Sequence, residues 1–154
     1  MSRHVPYIPQ LGPDDCGAAS LAMIMAYHGR HVPLAEVRQV FGVAPYATSA
    51  LAVISAARAN GFNAEGVWAD LDNLGDVPVP AILHWKSGHF VVLERVTDSG
   101  VELVDPACGP RFVTKELLLT AFTGVALIFE PGAAFEPRNP GDSENEVEGK
   151  QAGA

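Results

Sequence analysis

At 154 residues, 48% hydrophobic and 18% charged, the chain is long enough for one domain with a real core, and no apolar run in it approaches a membrane span. The net charge of −8 lacks the basic face that nucleic acid requires, so no nucleic-acid partner is expected. Two cysteines, Cys16 and Cys108, are too few for a disulfide scaffold or a Cys-rich zinc site. The opening Met1-Ser-Arg-His-Val-Pro has no secretory signal character, and the cytoplasm is the expected location.

In chain order, residues 16 to 28 are apolar almost all the way round, which predicts a helix buried on most of its surface, with Gly29 as its stop. Residues 34 to 41 predict a short amphipathic helix closed by Gly42. A third helix is expected over 49 to 60, capped by Thr48 and followed by Gly61. The second half changes character. Short strands are expected at 64 to 69 and 80 to 85, then a hairpin of 89 to 96 and 101 to 106 turning at Asp98-Ser99-Gly100. A short strand at 111 to 113, a helix of Lys115 to Ala121 capped by Thr114, and a closing strand at 125 to 130 complete the pattern. Helices first and strands second predict an α+β fold with the first helix packed on the sheet.

After Glu130 the chain is rich in Pro, Gly and acids, without apolar periodicity. From Pro131 onward five acids face Arg138 and Lys150, a net −3. Such a composition predicts a flexible tail or linker, with the folded domain ending near residue 135 and the tail spanning 136–154.

Cys16 opens the first helix, where backbone N–H groups and the macrodipole favour a thiolate, while the neighbouring Asp14 and Asp15 oppose it. A cationic partner is therefore needed, and His89 is the best candidate. Asp105, ending the partner strand, can orient that ring. A three-residue Asp98-Ser99-Gly100 loop puts the two side chains on one face of the hairpin but several residues out of register. Contact then needs a shift or bulge nearer Thr97. The amide of Gln10, six residues upstream, and the Cys16 backbone N–H can serve as oxyanion donors. Each residue also has a plain structural reading: Cys16 as packing, His89 as a strand start, Asp105-Pro106 as a turn.

Taken together, Val5-Pro-Tyr-Ile-Pro-Gln10, Asp15-Cys-Gly-Ala-Ala-Ser-Leu-Ala-Met-Ile-Met-Ala-Tyr-His-Gly29, Pro80-Ala-Ile-Leu-His-Trp85, His89-Phe-Val-Val-Leu93, Val104-Asp-Pro-Ala107 and Phe122-Thr-Gly-Val125 resemble the bacteriocin-processing cysteine peptidase domains of peptidase-containing ABC transporters. The likeness covers about residues 5 to 135, in order. It implies a papain-like fold with helices on a mainly antiparallel sheet. It also implies a thiol endopeptidase that removes double-glycine-type leader peptides from bacteriocin or lanthipeptide-like precursors before export.

The resemblance places the catalytic Cys, His and Asp on Cys16, His89 and Asp105, and the oxyanion Gln on Gln10. Its implied partners are a precursor peptide and the transmembrane and ATP-binding domains of a transporter, at the cytosolic face of the membrane. No cofactor is implied for the peptidase domain itself, ATP belonging to the separate nucleotide-binding domain, and no metal is expected. The acidic tail would then lead toward a transmembrane domain. A non-catalytic leader-docking module is the alternative from another class, against which the retained Cys16 speaks. A papain-like amidase or acyltransferase is a further enzymatic alternative. Pro45-Tyr46-Ala47 and Lys86-Ser87-Gly88 depart from similar domains and mark loops facing the substrate or the catalytic His. Cys108 reads as a passive neighbour of the Asp105 turn, and His4, His28, His31 and His84 as packing or solvent residues.

Overall fold

A computed structural model describes residues 4–41 and 49–141. Its elements follow the order α1 (Cys16–Tyr27), α2 (Leu34–Val40), α3 (Ala50–Ala59), β1 (Phe62–Trp68), β2 (Ala81–Trp85), β3 (Phe90–Val96), β4 (Gly100–Asp105), β5 (Gly109–Thr114), α4 (Lys115–Ala121) and β6 (Phe122–Pro131), with a 3-10 turn at Leu74–Asp76. The strands form one sheet in the order β1-β6-β2-β3-β4-β5, antiparallel at every pairing. This is the expected α+β arrangement.

Ala, Leu and Met, all strong helix formers, dominate α1, and every residue from Cys16 to Ala26 is buried. Small side chains at Gly17, Ala18, Ala19 and Ala22 let the helix lie close to its neighbours. It packs on β3 and β2, flanked by α2 and α3. Gly29 follows with φ +98°, a left-handed residue that ends the helix where the sequence places its stop.

The sheet is covered on both faces, which explains the unbroken apolar run at the start of β3. Phe90 and Val92 join the cluster that contains Leu21, Ile24 and Met25 of α1. Val91 and Leu93 join the opposite cluster, with Leu74 and with Leu118 of α4. A strand buried on both faces loses the usual polar alternation. Each fully buried Leu, Ile or Phe contributes roughly 1.5–3 kcal/mol.

Three local expectations are corrected. The cap of α3 is Ser49, whose hydroxyl accepts from the Ala52 N–H at 3.1 Å; Thr48, Gly42 and the Pro45-Tyr46-Ala47 loop lie outside the described residues. The sheet is more extensive than the apolar runs indicate, β1 beginning at Phe62, β5 filling 109–114 and β6 beginning at Phe122. The chain also remains docked past residue 135. Arg138 accepts from the His31 N–H at 2.8 Å, donates its own N–H to Gly29 at 3.0 Å, and its guanidinium pairs with Glu36 of α2. Phe135 packs edge-on against Phe62 with ring centroids 4.9 Å apart. Residues 142–154 lie outside the described residues.

Candidate active site

Cys16 is the first residue of α1 and is buried. Ser20, one turn further along the same helix face, directs its hydroxyl at the Phe90 carbonyl at 3.5 Å. That face of α1 therefore rests on the start of β3, where His89 stands. The charge of Asp15, which the sequence sets against a thiolate, is paired: its Oδ1 lies 3.0 Å from Nε of Arg38 on α2.

His89 is delivered by a tight connection. The Trp85 N–H donates to the His89 carbonyl at 2.8 Å, and the Gly88 N–H donates back to Trp85 at 2.9 Å. Lys86-Ser87-Gly88 thus forms a three-residue turn, and Gly88 closes it with φ +86°. An added Cβ at Gly88 meets nothing within 4 Å, so a Gly88→Ala variant suffers backbone strain alone. It is expected to lose about 1–2 kcal/mol in urea unfolding, the ordinary cost of a left-handed non-glycine residue.

The His89–Asp105 contact depends on one bulge. Of the three residues between β3 and β4, Thr97 pairs with Gly100, its N–H donating to that residue's carbonyl at 2.8 Å, so the turn itself is the two residues Asp98 and Ser99. Val96 then faces Val101, a register that, if continued, would put His89 and Asp105 on opposite faces. Glu94 interrupts it: Arg95 faces Glu102, but Leu93 faces Leu103. One extra residue in β3 restores the parity. Asp105 then stands across from Val91, and His89 lies two residues on, a diagonal neighbour. The side chains meet at 2.7 Å, His89 Nε2 donating to Asp105 Oδ1. The bulged Glu94 also clamps the N-terminal segment, accepting from the Val5 N–H at 2.6 Å and contacting His4 Nδ1 at 3.1 Å.

Nε2 being engaged, Nδ1 is the nitrogen left to meet the thiol, and the Cys16 side chain is near enough to act on the His89 titration beside Asp105. The Asp105 bond first, then the Cys16 bond, raise His89 to about 9 against the opposing effect of burial. Burial pushes Asp105 up, but bonds from His89 and the Ala107 N–H (2.8 Å), with the charges of His89 and Arg111, outweigh it and hold the carboxyl below its ordinary range. The imidazole is therefore a cation through the neutral range, with a thiol at a helix N-terminus acting on it.

Gln10 is carried by the segment that Glu94 clamps. Its N–H donates to the Pro106 carbonyl at 2.9 Å, joining it to the Asp105 turn. Its Nε2 donates to the Gly12 carbonyl at 3.0 Å, which also accepts from the Asp15 N–H at 3.1 Å, immediately before Cys16. One Nε2 hydrogen remains for a ligand. Cys108 is exposed, and its N–H donates to the Asp105 carbonyl at 3.1 Å. Three of the remaining histidines serve elsewhere: His4 on Glu94, His28 against Phe62 with centroids 5.6 Å apart, and His84 against Phe90 and Thr123. Arg111, whose Nη1 lies 3.3 Å from Asp105 Oδ2, is a site neighbour that the sequence does not single out. Only the β4–β5 register reveals it.

An imidazole anchored on a buried carboxylate, with a thiol at the head of a buried helix laid over an antiparallel sheet, matches the papain-like cysteine peptidases in fold and in the layout of its candidate site. The chain belongs to the peptidase C39 family, whose model matches residues 4–134. It is 36% identical over 133 residues to a probable microcin-H47 secretion/processing ATP-binding protein of Escherichia coli, covering 86% of this chain and 19% of that protein. It is 32% identical over 142 residues to the pediocin PA-1 transport/processing ATP-binding protein of Pediococcus acidilactici, covering 87% and 20%. The chain thus spans about a fifth of the length of these relatives. Among solved structures it is similar to a double glycine motif protease from an AMS/PCAT transporter in complex with its leader peptide. That match has a TM-score of 0.80 at 40% identity and covers 84% of this chain and 94% of the other. The peptidase domain of Streptococcus ComA superposes with a TM-score of 0.77 at 26% identity, covering 83% and 99%. No described helix is long and apolar enough to cross a membrane.

Proposed function

We propose that this domain removes leader peptides by hydrolysing the bond after a pair of small residues, with Cys16 as nucleophile, His89 as proton carrier, Asp105 as its orienter and Gln10 as oxyanion donor. The observation that carries the reading is the His89–Asp105 hydrogen bond at 2.7 Å, with His89 also under the influence of the Cys16 side chain at the head of α1. The leader as substrate is supported by the likeness to the leader-bound double glycine motif protease.

In the acylation step, the Cys16 sulfur attacks the carbonyl carbon after the small pair. The carbonyl electrons move to oxygen, which accepts from the Gln10 Nε2 hydrogen and the Cys16 backbone N–H. His89 then gives its proton to the departing amine as the C–N bond breaks, leaving the leader as a thioester on Cys16. In deacylation, the now neutral His89 takes a proton from water, and the resulting hydroxide attacks the thioester. Cys16 departs as thiolate and His89 is again the cation, so the cycle closes. The reaction written this way draws on no metal or cofactor in this domain.

The relatives' transport and processing names support a setting within a longer ABC transporter, the peptidase working at the cytosolic face on a precursor peptide. A docking-only role leaves the Cys16 thiol and the Asp105-anchored His89 without a task. The test is a synthetic precursor with a double-glycine leader. Cleavage is expected directly after the second Gly, and Leu at that position should lower kcat/KM by about 100-fold, the scale on which a narrow site rejects added side-chain volume. Equal cleavage of both peptides, or cutting elsewhere, would refute the leader specificity.

A further inference from the structure

Asp105 lies between two diagonal neighbours. His89 reaches it from the β3 side. On the other side, Asp105 faces Gly109 and Leu103 faces Arg111, so Arg111 stands two residues beyond the position opposite Asp105, on the same face of the sheet. Gly109 puts no side chain between them. The Tyr7 ring covers that glycine instead, 3.5 Å from where a Cβ would be. Arg111 Nη1 lies 3.3 Å from Oδ2, the carboxylate oxygen that neither His89 nor the Ala107 N–H uses.

The charges give this contact a purpose. In the ion pair of the proposed cycle, thiolate, imidazolium and carboxylate together carry one net negative charge, and the Asp105 side chain is only 5% exposed. A carboxylate in such a place, left uncompensated, moves toward its protonated form. Once protonated it can no longer hold an imidazolium. Arg111 brings the sum to zero. Among the described residues, the titratable and charged groups around Asp105 are His89 from the loop before β3, Cys16 of α1 through that ring, Tyr7 beside Gly109, Cys108 in its own turn, and Arg111 of β5. Among these, Arg111 is the one that stays cationic throughout the working pH range.

We propose that Arg111 is a positioning residue of the peptidase: it acts through Asp105, keeping the carboxylate ionised and its Oδ1 turned to His89, so that the ring stays against Cys16. This rests on the catalytic reading of Cys16 and His89 given above. A guanidinium suits the task because its planar fork fixes a direction as well as a charge. A lysine supplies the charge alone.

The experiment compares wild type with Arg111→Met and Arg111→Lys, in kinetics on the double-glycine precursor and in a carbon-13 NMR titration of the Asp105 carboxyl. The Met variant should show kcat reduced about tenfold with KM within twofold of wild type. Its Asp105 midpoint should rise by about one pH unit, and Lys should restore most of kcat. An unmoved midpoint overturns the proposal, as does a raised midpoint with undiminished kcat. A rise in KM at constant kcat also overturns it, since Arg111 would then be touching substrate. If wild type cuts no leader, the functional reading fails, while the titration still decides whether Arg111 sets the state of Asp105. Arg111 is 38% exposed, so both variants are expected to fold.

Discussion

Cys16→Ala is expected to abolish cleavage, lowering kcat on the order of 10^6-fold, the loss seen when a covalent mechanism is deprived of its nucleophile. The fold should survive. Cys16 is buried at the head of α1, but Ala removes one atom and suits a helix start among Gly17, Ala18 and Ala19. Leader affinity should persist, because the sulfur's work is bond-making at the scissile carbonyl. Fluorescence anisotropy of a labelled leader with both proteins, beside a cleavage assay, separates the two quantities. Lost affinity with retained fold would mean that Cys16 holds the peptide and does no chemistry.

His89→Gln is expected to lower kcat on the order of 10^4-fold or more, since the imidazole must both protonate the leaving amine and activate water. The wild-type pH profile gives this role a sign. Bonds from Asp105 and Cys16 raise His89 to about 9, so the proton it must deliver is present at neutral pH and is lost as pH rises through that value. Activity should therefore fall on an alkaline limb near pH 9, and the residual activity of His89→Gln should lack that limb. A wild-type profile flat from pH 7 to 10 would contradict the assignment.

Much of this was legible in the sequence where the signal is local. The buried helix, its glycine stop and the thiol at its head follow from residues 16 to 29 alone, and Gln10 is separated from Cys16 by a short segment. The His89–Asp105 contact was not settled, for a physical reason. Side chains alternate along a strand, so one inserted residue decides whether two positions share a face, and that residue is Glu94. Nothing in FVVLERV announces a bulge. Arg111 escaped for a related reason: an arginine in a short strand beside Pro110 looks like a surface residue until the register sets it diagonal to Asp105. Ser49 and Thr48 are adjacent and both competent caps, which composition cannot separate. Residues 136 to 138 are held by Arg30 and Glu36 and by backbone bonds to the α1–α2 connection, long-range contacts that leave no periodic trace.

The most direct test uses a leader peptide ending in a glycyl-glycine chloromethyl ketone, which places an electrophile where the scissile carbonyl should sit. The protein offers it two thiols with opposite access, Cys16 buried and Cys108 exposed. A single adduct mapped by mass spectrometry to Cys16, and suppressed by excess uncleavable leader, is the predicted result. Labelling confined to Cys108, or no labelling at all, would contradict a leader-directed thiol peptidase.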